Sequence, residues 1–397
     1  MNPFLDRLQS YPFQKLAALM EGARPKAGLK PISLHIGEPK HPTPEFIKRA
    51  LSDNLGGLSI YPATLGTPEL RGAIAKWLQQ RYGVRAIDPD TQVIPVNGSR
   101  EALFAIAQAV IDPTRPQPTV VCPNPFYQIY EGAALLAQAT PVYLNNVPAR
   151  DFSFDWNELS AEVWQHTQLI YVCSPANPTG RVMTLDEWKG LFELSDRHGF
   201  VIAADECYSE IHFDEAHPPL GALQAAQQLG RDGYPRLVVF SSLSKRSNVP
   251  GMRSGFVAGD AAVLKKFLLY RTYQGCAMSP AVSAASAAAW QDEAHVIENR
   301  RLYREKFDTA IGILKPVLDV RRPDAAFYLW APTPIPDPQF TRGLFESQAV
   351  SVLPGSYLAR EAHGVNPGMN RVRIALVAST DECAEAARRI RDFVAGL

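Results

Sequence analysis

Ser241-Ser242-Leu243-Ser244-Lys245 closes an apolar, β-rich run, and eight residues beyond its lysine Arg253 stands in Gly251-Met252-Arg253-Ser254-Gly255. Forty residues before the lysine a second apolar run, Val201-Ile202-Ala203-Ala204, ends in Asp205-Glu206-Cys207-Tyr208. In open parallel sheets, ligands bind outside the carboxyl ends of the strands, and Asp205 and Ser242 both lie just past such ends. Asn177, in Ser174-Pro175-Ala176-Asn177-Pro178-Thr179-Gly180, follows a third run, Leu169 to Cys173. The spacing agrees with one shared pocket.

These residue types name a cofactor. A lysine can hold an aldehyde covalently, an upstream aspartate can face a protonated pyridine nitrogen, and hydroxyls with an arginine can hold a phosphate. The set reads as a pyridoxal phosphate site, with Lys245, Asp205 and Tyr208 carrying the chemistry. Tyr208 and Asn177 are placed to donate hydrogen bonds to the phenolate oxygen of the cofactor. Val96-Asn97-Gly98-Ser99-Arg100 offers a strand, a glycine turn and a helix start, whose free N–H groups suit an anion. Gly98, Ser99 and Arg100 would form one side of a phosphate cup, and Ser242, Ser244 and Arg253 the other. In Pro123-Asn124-Pro125-Phe126-Tyr127 either Tyr127 or Phe126 can stack on the pyridine ring. Arg373, in Asn370-Arg371-Val372-Arg373-Ile374-Ala375, carries a guanidinium fork suited to an amino acid's α-carboxylate, with Arg371 on the same face two residues earlier.

Outward from these motifs, helical stretches alternate with short β-rich runs from about residue 70. The runs are 93–96, 119–122, 141–144, 169–173, 200–204, 236–241 and 255–258, which predict an α/β fold whose large part is a mostly parallel seven-stranded sheet between helices. A charged helix from Glu293 to Lys315 leads to further runs at 317–320, 326–330, 350–353 and 371–377, the pattern of a smaller α+β part. The organisation reads as an N-terminal arm (1–45) that packs with the small part, a large cofactor-binding domain (46–290) and a small C-terminal domain (291–397).

The 397 residues exceed the size at which a single core usually stops growing. Forty basic and forty acidic residues cancel and form no charge block, so nucleic acid and anionic membrane are poor partners. No segment is apolar long enough to span a bilayer and the start lacks a leader pattern, so a cytoplasmic location is expected. The five scattered cysteines lack metal-ligand spacing and read as reduced core residues, with no metal expected.

Over almost its whole length the chain resembles the class I/II aminotransferases, the fold-type I pyridoxal phosphate enzymes. Five ordered motifs carry the likeness: Asn177-Pro178-Thr179-Gly180, Asp205-Glu206-Cys207-Tyr208, Ser242-Leu243-Ser244-Lys245, Gly251-Met252-Arg253-Ser254-Gly255, and Arg373 in its strand. The resemblance implies a homodimer with shared active sites, in which Tyr61 of Tyr61-Pro62-Ala63-Thr64-Leu65-Gly66 reaches the cofactor phosphate of the neighbouring subunit. It also implies that Gly37, in Ile36-Gly37-Glu38-Pro39, lies beside the substrate carboxylate, which Asn177 and Arg373 also bind. Residues 36–44, 245–251 and 353–358 most resemble bacterial N-succinyl-L,L-diaminopimelate aminotransferases of lysine biosynthesis, which pass an amino group from glutamate to N-succinyl-2-amino-6-oxopimelate. Aminotransferases for aspartate, kynurenine or methionine, and carbon–sulfur β-lyases, share the same cofactor contacts. A DNA-binding regulator on this fold would carry an added helix-turn-helix, and none precedes the α/β pattern. Arg246, directly after the lysine, departs from the usual small or hydroxyl residue. It joins Arg271 and Arg24 as a candidate for a distal substrate carboxylate, with a structural ion pair as the alternative.

Overall fold

The computed structural model describes residues 1–85 and 87–397. Its strands are β1 (Ile32–Ser33), β2 (Val93–Val96), β3 (Thr119–Asn124), β4 (Thr140–Asn145), β5 (Thr167–Cys173), β6 (Val201–Asp205), β7 (Leu237–Ser242), β8 (Gly255–Gly259), β9 (Tyr328–Pro332), β10 (Val350–Ser351), β11 (Leu353–Pro354) and β12 (Arg371–Ala375). Seven of them form one sheet in the order β2-β8-β7-β6-β5-β3-β4. Every predicted run of the large part is a strand of this sheet. Only β8 runs against its neighbours, β2 and β7. That reversal brings the beginning of β8, just after Arg253, to the edge where the other strands end.

Period-two alternation sorts the strand residues onto two covered faces. Ile170, Val172, Ile202, Ala204 and Val239 enter one core with Trp77, Trp188 and Trp290. Leu169, Tyr171, Val201, Ala203 and Val238 enter the other, with Leu103, Ile106 and Tyr130. A third core collects Leu329, Ala331, Val372 and Ile374 from the antiparallel sheet β11-β12-β9, together with Phe307, Leu344 and Ile390 from helices. The charged helix spans Ala294–Leu314, and Pro316 then precludes its continuation.

The opening segment joins this last core: β1 pairs in parallel with β10, and Ile32 and Leu34 are buried in it. One predicted strand is absent. Residues 317–320 form a turn and an extended tail after the long helix. Leu318 and Val320 are buried, which produced the strand-like pattern, but they pack on the third core from a turn and form no ladder. Among the described residues, no helix is long and apolar enough to cross a membrane, and the five cysteines are free thiols.

Candidate active site

A cavity of about 790 Å³ opens at the carboxyl edge of the large sheet. Lys245, Asp205, Tyr208, Asn177, Ser99, Arg100, Tyr127, Ser242, Ser244, Arg253, Arg373 and Gly37 all line it. The register explains the convergence. Cys173 and Asp205 are paired at the ends of β5 and β6, and β7 ends at Ser242, opposite Gly255. Ser242 then caps the short helix Leu243–Arg246, accepting a 3.1 Å hydrogen bond from the Ser244 N–H, so that Lys245 leaves this helix into the cavity.

Lys245 Nζ donates to the Gly37 carbonyl at 3.0 Å. Burial lowers its pKa to about 8, and the cations Arg253, Arg373 and Arg100 push the same way. An amine near neutrality is partly unprotonated and therefore nucleophilic at physiological pH. Asp205 is buried, and burial raises its pKa. The Tyr130 hydroxyl donates to Asp205 Oδ2 at 2.7 Å and the Cys207 N–H to Oδ1 at 3.2 Å, holding the carboxylate in place. A buried carboxylate facing a cavity is matched by a cationic ring nitrogen.

Ser99, Arg100, Ser242, Ser244 and Arg253, expected to form a phosphate cup, line the cavity together. Gly98 has φ of 87° and starts the helix Ser99–Val110. A Cβ there would collide with the guanidinium of Arg253, so glycine is what allows the arginine to lie across the helix start. Arg253 itself is left-handed (φ 55°) and donates to the Pro250 carbonyl at 2.9 Å. Ser242 Oγ and Ser244 Oγ lie 2.9 Å apart at the same end. Hydroxyls, a guanidinium and helix N–H groups at one end, with a buried aspartate and a lysine farther in, fit pyridoxal phosphate.

On the opposite wall, Arg373 Nη1 donates to Asn177 Oδ1 and Nη2 to the His35 carbonyl, both at 3.0 Å. Its guanidinium lies 4.5 Å from the Tyr328 ring centroid, and its Nε is buried without a partner. Tyr208 and Tyr328 share a 2.9 Å hydroxyl contact. Arg371, by contrast, donates to the Trp330 carbonyl at 3.2 Å and lies over Phe152, outside this cavity.

The structure separates the stacking candidates: Tyr127 lines the cavity, its hydroxyl accepting from Arg100 Nε at 2.6 Å, whereas Phe126 is buried against Tyr143 and Arg360. Tyr61 is fully exposed and outside the cavity of its own chain. None of the three distal-carboxylate candidates reaches the cavity. Arg246 is buried between Trp77 and Trp290, ion-paired with Glu293 and donating to the Ala289 carbonyl at 2.6 Å. Arg271 is buried in an ion pair with Glu101, and Arg24 is exposed. Tyr130 and Tyr328 escaped the sequence reading. Tyr130 lies three residues after Tyr127, in the first turn of the helix Ile129–Leu136, and that nearness was its available signal.

A lysine and an aspartate at adjacent strand ends, beside a phosphate cup and a buried arginine, define a pyridoxal phosphate enzyme that handles amino acids. The model of the family aminotransferase class I and II matches residues 30–390, and the chain belongs to that family, whose enzymes use pyridoxal phosphate. Its fold is that of the fold-type I aminotransferases. A crystal structure of an aminotransferase from Neisseria meningitidis is 54% identical, covers 98% of this chain and 99% of its own, and superposes with a TM-score of 0.95. A probable N-succinyldiaminopimelate aminotransferase from Thermus thermophilus is 27% identical, with 96% and 100% coverage and a TM-score of 0.85. An LL-diaminopimelate aminotransferase from Dehalococcoides mccartyi is 29% identical over 98% of this chain and 97% of its own.

Proposed function

We propose that this aminotransferase moves an amino group between glutamate and N-succinyl-2-amino-6-oxopimelate, a step of lysine biosynthesis in the cytoplasm, with ping-pong kinetics. The observation that carries this reading is the cavity itself. Its volume of about 790 Å³, which takes in the proposed cofactor site, extends past Arg373 and Lys245 to Tyr11, Phe13 and Glu38, which supports a long polar substrate beside the cofactor. The Thermus relative and the likeness of residues 36–44, 245–251 and 353–358 support it. The names of relatives such as that from Dehalococcoides favour a second reading, in which unacylated L,L-diaminopimelate is the substrate.

In this reading Arg373 binds the α-carboxylate through its fork, with Asn177 fixing the plane of the guanidinium. Nζ of Lys245 holds the cofactor at rest and, once free, takes the proton from the substrate's α-carbon. Asp205 balances positive charge at the pyridine nitrogen, and Tyr127 stacks on the ring. Tyr208 and Asn177 donate toward the phenolate oxygen, and Gly98, Ser99, Arg100, Ser242, Ser244 and Arg253 hold the phosphate. When bound, pyridoxal phosphate supplies the electron sink that makes that α-carbon acidic. Residues 46–290 hold the cofactor, and 291–397 with the arm 1–45 bring the carboxylate site to it. The assembly is a homodimer in which Tyr61 serves the neighbouring site. The exposed run Leu55, Leu58, Ile60 and Tyr61 supports an interface there.

The test is single-turnover conversion of the holoenzyme, followed by its visible spectrum, with N-succinyl-L,L-diaminopimelate, L,L-diaminopimelate, glutamate, aspartate, kynurenine and methionine added separately. Fast conversion by the succinylated compound and glutamate supports the proposal. Preference for free diaminopimelate selects the second reading, and preference for one of the last three removes both. Pyruvate release from cystathionine would reveal a β-lyase.

A further inference from the structure

Lys306 is 1% exposed on the helix Ala294–Leu314, yet among the described residues its ammonium meets no carboxylate. It meets His41 Nε2 at 2.5 Å, the Val377 carbonyl at 3.5 Å and the face of Tyr303, 5.0 Å to the centroid. A buried cation without an anion is costly, and the hydrogen bonds it makes must offset that cost. An ammonium can only donate, so Nε2 accepts and the His41 proton sits on Nδ1. Nδ1 then donates to Asn299 Oδ1 at 2.7 Å, and Asn299 Nδ2 donates to the backbone carbonyl of Lys245 at 3.3 Å. With Lys306 protonated, every donor and acceptor in this relay has one direction.

The relay also fastens a strap. Residues 37–43 lead away from the cavity, which Gly37 and Glu38 line: the Gly37 carbonyl accepts from Lys245 Nζ, His41 joins the relay, and Thr43 Oγ1 donates to the Asn248 carbonyl at 2.9 Å. Asn248 Nδ2 donates to the same Asn299 oxygen at 3.1 Å. Aromatic packing runs alongside, from His41 to Tyr303 (4.8 Å), Tyr303 to Phe327 (5.6 Å), and Phe327 to Lys245 Nζ (5.9 Å). Burial and the Lys306 cation hold the His41 ring below the usual histidine range, against opposite pulls from Asn299 and Glu298. Lys306 is lowered by burial to about 8, with Cys383 and Glu305 opposing.

We propose that His41, oriented by Lys306 and acting through Asn299, is a positioning residue that fixes the strap and the backbone of Lys245 relative to each other. The inference rests on Lys245 being the lysine that carries the cofactor. It is tested with holoenzymes of the wild type, His41→Phe, His41→Asn and Lys306→Gln. Three readouts are taken: the pH titration of the visible band, kcat and KM for glutamate, and Tm. His41→Phe should move the titration midpoint by about half a unit and lower kcat about tenfold, with KM little changed. Lys306→Gln should act in the same direction, and His41→Asn, which keeps a donor near the Nδ1 position, should recover most of both effects. Variants that lose Tm but keep the wild-type midpoint and kcat overturn the proposal, as does a shift that His41→Asn does not recover. If His41→Phe does not fold, wild-type midpoints in the other two variants overturn it. A wild type without any lysine-bound visible band would instead overturn the role of Lys245.

Discussion

Arg373 and Asn177, 196 positions apart in the chain, are joined by a 3.0 Å hydrogen bond from guanidinium Nη1 to the amide oxygen. The bond ties β12 of the small sheet to the loop after β5 of the large sheet, so the guanidinium proposed to bind the substrate carboxylate is held from both sheets at once. Replacing Arg373 by Ala should raise KM for donors and acceptors about 100-fold, the loss of a charge-assisted pair. Lysine should not restore it, because a point charge cannot reproduce the fork. Cofactor content, read by absorbance, should be unchanged.

Lys245, lowered to about 8, should set the pH dependence of cofactor loading. Only the neutral amine attacks an aldehyde, so the rate of reconstitution of the cofactor-free protein should rise with pH and level off just above 8. A rate still climbing beyond pH 9.5 would place the amine near its ordinary value.

Asp205→Asn removes the charge proposed to face the pyridine nitrogen while keeping the shape and the Cys207 contact. Steady-state assays should show kcat lower by roughly 10²–10³-fold, with KM for glutamate changed far less. A variant within twofold of wild type would remove Asp205 from the mechanism.

The seven central strands were readable because each is an apolar run bounded by turn residues, and the gathering of the candidate site residues in one cavity was readable because most of them follow those runs. What failed did so for local physical reasons. Residues 317–320 alternate like a strand but belong to the turn and tail that follow the long helix past Pro316, from which Leu318 and Val320 reach the third core without joining a ladder. Arg246 follows Lys245 directly, yet helical neighbours project about 100° apart, so one enters the cavity and the other a pocket between Trp77 and Trp290. Sequence shows a guanidinium but not its face. Two-residue strands such as β1 carry no periodicity to read.

Arg246→Met and Arg271→Met should therefore report on stability and not on substrate. Each removes a fully buried guanidinium from its partners: the half-exposed Glu293, which keeps its bond from Trp77 Nε1, and the buried Ala289 carbonyl in one case, and the partly buried Glu101 in the other. Denaturant titration should show losses of about 3 kcal/mol, with KM for every substrate within twofold of wild type.

His35 and His212 are both held down to about 4, mainly by burial. The unfolded chain takes up these protons near 6.5 and the folded chain does not. Their contribution is therefore complete above 6.5 and is lost as pH falls from there toward 4. Glu206, raised to about 7 by burial, works the other way. A His212→Gln variant isolates one term: its Tm should fall less than that of the wild type between pH 7 and 4.5, and an equal fall would show that His212 titrates normally.

The most direct test of the central claim, that Lys245 carries the cofactor of an aminotransferase, is borohydride reduction of the holoenzyme followed by peptide mass mapping. The phosphopyridoxyl group should be found on Lys245 alone, and prior addition of glutamate should prevent the labelling. A label on another lysine, or on none despite bound cofactor, would contradict the account.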